Sequence, residues 1–169
     1  MTTLEALSRL RDLGELGLLH QNAQHPDRAR LAELATRVAI HMDAPTCMVN
    51  AVLPGAVALL AGHGVAGYVE AVGGIPVEWS FCSIVCRTGE PLIIADAANT
   101  PVATGNPLVQ ADGLRAYLGV PVFSAKGHGI GALCVTADRP RVFTATEVAS
   151  MRQFAGDASN LIEATRRPR

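Results

Sequence analysis

What this sequence has little of is charge: only 17% of its 169 residues are charged, and Lys126 is the only lysine. The acidic and basic residues are interspersed and sum to a net charge of −1, so no basic stripe exists. That argues against nucleic-acid binding as the main activity, because phosphate neutralisation needs clustered cations. Plentiful arginine beside a single lysine reads as a composition bias rather than a functional signal. No apolar run is long enough to span a bilayer, since the most apolar window, residues 47–62, is broken by Asn50, Pro54 and Gly55. The start, Met1-Thr2-Thr3-Leu4-Glu5, lacks the basic leader and apolar run of a secretory signal. The four cysteines lack the spacing of a secreted disulfide scaffold. The expectation is a cytoplasmic protein with free thiols and no membrane contact.

What is abundant is apolar surface. Hydrophobic residues make up 49% of the chain, enough to bury one domain core. Thr2 and Glu5 form a capping box ahead of Leu4, Leu7, Leu10 and Leu13. His20 to Pro26 is a polar connection. A second helix follows Asp27, with Leu31, Leu34, Val38 and Met42 at helical spacing, and stops near Asp43 because Pro45 disfavours helix before it. Thr46–Leu53 and Ala56–Ala61 flank Pro54-Gly55, a hairpin signal. Residues 62–76 are ambiguous, either a short irregular helix around Tyr68 and Val69 or a loop.

From Ser80 the pattern sharpens. Ser80 caps a helix that Gly89 and Pro91 end. Phe81, Ile84, Val85 and Thr88 share its apolar face. A short strand covers Leu92–Ala95, and residues 96–113 wrap over one face of the sheet. Tyr117–Ser124 and Gly129–Ala137 pair across Lys126-Gly127-His128. Thr144 and Glu147 then cap a last helix whose stripe, Val148, Met151, Ala155, Ala158 and Ile162, can pack on the sheet or on a second copy. The element order is α+β with an antiparallel sheet.

Two local motifs invite chemistry. Cys82 and Cys86 project from one side of their helix as a candidate redox pair or half a metal site. Zinc needs about four ligands, and none lies at compact spacing nearby. A disulfide between positions four apart in an intact helix is also geometrically poor. Both cysteines are therefore read as small hydrophobes packed on the flank of the apolar face. Gly127-x-Gly129-x-Gly131 leads into a strand rather than a helix, so it is read as turn geometry and not a phosphate cradle. No catalytic constellation and no metal site are expected.

Ser80-Phe81-Cys82-Ser83, Arg87-Thr88-Gly89-Glu90-Pro91-Leu92, Asp96-Ala97, Asn106-Pro107-Leu108-Val109, Gly119-Val120-Pro121-Val122 and Gly127–Val135 resemble bacterial GAF domains. So does Arg139-Pro140-Arg141 before the last helix, and more faintly Leu16-Gly17-Leu18-Leu19 and the Pro45 strand. The resemblance implies a GAF-like, PAS-related antiparallel sheet of five or six strands. Terminal helices would pack on one face, and residues 62–113 would roof a pocket on the other. It divides the chain into an N-terminal helical extension (1–26, a candidate dimerisation element), the domain itself (27–165) and a tail (166–169).

GAF domains commonly dimerise through their terminal helices and bind cyclic nucleotides, bilins, haem or small metabolites, or nothing. By resemblance, the ligand-contact candidates are Trp79, Phe81, Cys82, Asp96, Asn106, Tyr117 and Cys134. None of the four cysteines is followed by the histidine typical of bilin attachment. His63 near the roof is the one conceivable haem ligand, though a loop histidine is more often solvated. Some GAF proteins reduce free methionine-(R)-sulfoxide with cysteines in the roof and in the loop before the last strands, yet residues 96–113 here have none. The resemblance implies a small-molecule-responsive regulatory domain, not an enzyme, with its ligand and any cofactor unknown. It would act as a homodimer or through a protein partner in trans. The alternatives are the thiol-dependent reductase and a ligand-free dimerisation scaffold.

Overall fold

The chain alternates helices with hairpins so that one sheet acquires two differently covered faces. The computed structural model describes residues 2–17 and 25–167. Residues 20–24 of the connection expected at His20 to Pro26, the Leu18-Leu19 part of the upstream motif, and the end of the tail lie outside the described residues, while His25 and Pro26 already belong to the start of a helix. Helices α1 (Thr3–Glu15) and α2 (Pro26–His41) lead into strands β1 (Thr46–Val52) and β2 (Ala56–His63). Helix α3 (Gly67–Val72), strand β3 (Gly74–Pro76), helix α4 (Phe81–Thr88) and strand β4 (Leu92–Ile94) follow. After two 3-10 turns come α5 (Pro107–Gln110), β5 (Ala116–Phe123), β6 (Gly129–Ala137) and α6 (Ala145–Glu163).

The strands form one six-stranded antiparallel sheet in the order β3-β2-β1-β6-β5-β4. The fold is α+β and GAF-like, as expected. Both capping boxes form, at Thr2/Glu5 and at Thr144/Glu147. Helix α2 starts at Pro26, whose missing N–H costs nothing at the first helical position, and the His25 ring accepts from Asp27 N. The ambiguous 62–76 stretch contains both α3 and the edge strand β3, too short to announce itself by alternation.

On one face, α2 and α6 cover Val49, Leu118, Val120, Leu133 and Val135. Met151, Ala155, Ala158 and Ile162 of the α6 stripe are buried in this core. The stripe therefore packs on its own sheet and is not open to a second copy. Leu13 and Leu16 join the same core, so the end of α1 is held against the body. On the other face a smaller core gathers Phe81, Cys82, Val85, Ile94, Tyr117 and Cys134 under α3, α4 and α5.

Candidate ligand pocket and buried thiol cluster

Helix α4 is set at both ends by its own residues. The Ser80 hydroxyl accepts from Ser83 N, and Gly89 takes the left-handed conformation, φ 69°, that closes the last turn. Between these caps Phe81, Cys82 and Val85 face the sheet. Cys82 thus stands in the buried face rather than on its flank. Of the rest of the expected stripe, Ile84 is half-buried against the same core, and Thr88 at the helix end is exposed.

Strand alternation brings the partners. Leu118 and Val120 point into the helix-covered core, so Tyr117 and Gly119 face α4. A Cβ at Gly119 would lie 2.6 Å from Tyr117 Cζ, so the bare glycine leaves the space into which the ring folds along its strand. That places Tyr117 OH 3.2 Å from Cys82 Sγ. On β6, Cys134 pairs with Gly119 on one side and Met48 on the other, and its Sγ lies 3.8 Å from that of Cys82. Asn50 Nδ2 donates to Cys82 Sγ at 3.4 Å and lies 3.9 Å from Cys134 Sγ. Phe81 and Tyr117 rings pack at 5.3 Å.

This cluster biases its thiols in opposite directions. A Cys82 thiolate receives hydrogen bonds from Cys134 first, then from Tyr117, Asn50 and Ser80, and these outweigh its burial and lower its pKa. Cys134 is raised by its hydrogen bond with Cys82 and by burial. Burial and the neighbouring thiols likewise push Tyr117 well above its ordinary value.

Above the cluster lie two neighbouring chambers with a common wall. The inner chamber, about 40 Å³, is lined by Asn50, Phe81, Cys82, Tyr117 and Cys134 among others. An outer chamber of about 300 Å³ opens beside it under Val65, Gly67, Asp112 and Asp138. Met48, Val69, Leu108, Leu114 and Thr136 border both chambers. The inner space suits roughly three water-sized molecules, whereas the outer one reaches the range of small-ligand pockets, about 300 Å³ and upward.

Four of the residues expected at the pocket, Phe81, Cys82, Tyr117 and Cys134, line the inner chamber. The other three side chains brace its surroundings. Trp79 packs on the Tyr68 ring of α3 at 5.6 Å. Asn106 Nδ2 donates to the Trp79 carbonyl at 2.9 Å while its Oδ1 caps α5. Asp96 accepts from Ala98 N and Asn99 Nδ2 and so holds the turn after β4. His63 faces α2, with Nδ1 3.1 Å from Thr36 Oγ1, and does not reach the cavity as the roof reading expected. Among the described residues, no group of three histidine, cysteine or acidic side chains gathers as a metal site.

Sequence reasoning weighed Cys82 against Cys86 and missed its real neighbour, Cys134, 52 residues away. The available signal was alternation in β6, which sets Cys134 opposite Leu133 and Val135. Asn50 and the outer-chamber residues were also missed. Cys86 instead turns to the end of the sheet, donating to the Gly129 carbonyl at 3.2 Å. There Arg9 of α1 reaches it at 3.4 Å and also donates to the carbonyls of Gly129 and Val52. One side chain thus joins α1, both central strands and α4.

Comparison with known proteins places this geometry in context. Residues 2–163 match the GAF domain family. A cyclic di-GMP phosphodiesterase of Pseudomonas aeruginosa is 34% identical over 82 residues, which is 47% of this chain and 14% of that protein. The chain thus spans a small part of that relative. Among solved structures, the fold is similar to a type II free methionine-R-sulfoxide reductase from Thermoplasma acidophilum, with TM-score 0.69, 14% identity, and coverage of 86% of this chain and 98% of that one. It is also similar to the GAF domain of an Acinetobacter phosphoenolpyruvate-protein phosphotransferase, with TM-score 0.66, 18% identity, and coverage of 97% and 96%. At such identities the likeness shows the fold alone.

Proposed function

The chain belongs to the GAF domain family, and on that premise we propose that it is a small-molecule-responsive regulatory domain whose ligand occupies the outer chamber. GAF domains are commonly sensor or regulatory domains. The observation that carries the reading is the outer chamber itself: an open space of about 300 Å³ that shares five wall residues with a buried chamber. Its walls are mainly apolar, with the Thr46 and Thr136 hydroxyls and the Asp112 and Asp138 carboxylates as the polar points. Among the described residues no lysine or arginine lines it; Arg139, beyond the lining, stands 3.9 Å from Asp138. Such a site suits a neutral or cationic metabolite of about amino-acid size and disfavours a phosphate-bearing one.

The output path follows from Arg9. Helix α4 carries Cys82 in the chamber and, one turn on, Cys86 against Arg9 of α1. A ligand in the outer chamber acts on α4 through the wall shared with the inner one, and movement of α4 is passed to α1, where Leu4 and Leu7 are 77% and 59% exposed and available to a second copy or a protein partner. A ligand shifts this equilibrium only by its differential affinity for the two arrangements.

The test is a thermal-shift panel of neutral, cationic and phosphate-bearing metabolites, followed by native mass spectrometry. Saturation of the site about a hundredfold above Kd stabilises by about 2.7 kcal/mol, or roughly 5–10 °C in a domain of this size. Leu114→Trp, which fills the shared wall, should abolish the shift. Stabilisation by nucleotides alone would sink the ligand class, and no response to any compound would favour the scaffold alternative. The reductase alternative predicts turnover of free methionine-(R)-sulfoxide with a thiol donor.

A further inference from the structure

Of the four cysteines, Cys47 shows what a packed thiol looks like in this protein. It is fully buried among apolar side chains, and burial alone pushes its pKa up to about 12. Cys82 and Cys134 are equally buried but differ in every other respect. Their sulfurs face each other at 3.8 Å, a phenol hydroxyl stands 3.2 Å from Cys82, and an amide N–H donates to it. A chamber borders both, whereas Cys47 borders neither chamber. Packing accounts for Cys47; it does not account for a paired, hydrogen-bonded, cavity-facing thiol.

We propose that Cys82 and Cys134 form a redox-active dithiol, in which Cys82 attacks a small peroxide admitted to the inner chamber and Cys134 resolves the product into an intramolecular disulfide. This goes beyond the sensor reading and does not depend on it.

The steps balance as follows. Cys82 gives up its thiol proton and its sulfur attacks one oxygen of hydrogen peroxide. The S–O bond forms, the O–O bond breaks, and the departing hydroxide takes up the proton to leave as water. The Cys134 thiol then displaces the hydroxyl from the Cys82 sulfenic acid, releasing a second water and forming the S–S bond. Two thiols lose two electrons and the peroxide gains them. An external dithiol restores the pair by exchange. The sulfurs must close from 3.8 Å to about 2.05 Å, a movement shared between two side chains.

Asn50 and Tyr117 hold the Cys82 sulfur in place, and the chamber sets the size of the oxidant. About 40 Å³ admits hydrogen peroxide but not a bulky organic hydroperoxide. The completed disulfide would tie α4 to β6 across the chamber floor.

The experiment treats the reduced, full chain with one equivalent of hydrogen peroxide and follows intact mass, thiol count and a non-reducing peptide map. The expected result is loss of two hydrogens, a fall from the four free thiols to two, and a Cys82–Cys134 linked peptide that dithiothreitol reverses. Cys134→Ser should stop at a dimedone-trappable sulfenic acid on Cys82. A Cys47→Ser, Cys86→Ser double variant should still form the disulfide, which keeps the test valid if either cluster variant folds poorly. tert-Butyl hydroperoxide, too bulky for the chamber, should oxidise the pair more slowly than hydrogen peroxide. A disulfide or sulfenic acid formed chiefly at Cys86, or a Cys82 that stays reduced under these conditions, overturns the proposal.

Discussion

Two buried polar clusters stand on this one sheet, and they are built on opposite plans. At the β5–β6 turn, Asp12 of α1 is 1% exposed and surrounded on every side. Ser124 Oγ donates to it, His128 Nδ1 lies 3.0 Å away, Arg166 Nη2 2.9 Å and Lys126 Nζ 3.3 Å. Glu15 and Glu163 close the network by pairing with Arg166. The thiol cluster instead contains no formal charge partner, bonds at the longer distances of sulfur, and borders a cavity. The difference is one of charge: the first site sets an ionic partner against every charge and locks three chain segments together, while the second holds a thiol pair on neutral hydrogen bonds beside a small cavity.

The largest effect should come from breaking the first site. Burial opposes ionisation of Asp12, but the bonds from Ser124, His128, Arg166 and Lys126 prevail and hold its pKa far below the carboxylate range. A depressed folded pKa stabilises above the unfolded value of about 4, and that stabilisation is lost as pH falls through the folded pKa. Removing one partner of a buried ion pair costs about 3–5 kcal/mol. Because the cations here are partly exposed, Asp12→Asn should cost about 3 kcal/mol, the lower end of that range, and lower Tm by roughly 6–12 °C at neutral pH. The gap between wild type and variant should narrow in acid. A gap that stays constant down to strongly acidic pH would show that shape rather than charge holds the latch.

This contrast was only half legible in the sequence. Caps, hairpins and the α6 stripe are local patterns, so they could be read directly; their order carried the α+β class, and the resemblance carried the GAF-like plan. The clusters are assembled from distant positions. Asp12 meets Ser124 across 112 residues and Cys82 meets Cys134 across 52, and no spacing rule links them. Cys82 and Cys86 shared a helix and drew the comparison, although α4 turns one into the pocket face and the other to the sheet end. Trp79, Asp96 and Asn106 were expected to contact a ligand, but their side chains are engaged in bracing the roof.

A medium effect should follow from crowding the second site. Gly119→Ala sets a methyl 2.6 Å from Cζ of the buried Tyr117 ring, so the ring must shift. Overpacking of this kind costs about 1–3 kcal/mol, read as a lower denaturation midpoint. The same change displaces the hydroxyl from Cys82, so thiol oxidation should slow as well. Normal stability together with normal oxidation would mean that the ring is not held over Gly119.

The smallest change in stability, and the sharpest test of the contrast, should come from Tyr117→Phe. The ring and its packing on Phe81 remain, and only the hydroxyl 3.2 Å from Cys82 is lost. A single neutral hydrogen bond contributes about 1 kcal/mol, so the denaturation midpoint should barely move. Ionised Cys82, however, loses one of the donors that lower its pKa. The pH at which peroxide oxidation of Cys82 reaches half its maximal rate should therefore rise, because a thiolate with fewer donors forms only at higher pH. Deleting a polar group from the Asp12 latch costs stability, whereas deleting one here costs reactivity. If Tyr117→Phe instead destabilised the fold as Asp12→Asn does and left the pH profile unmoved, the thiol cluster would be a second latch and not a reactive site.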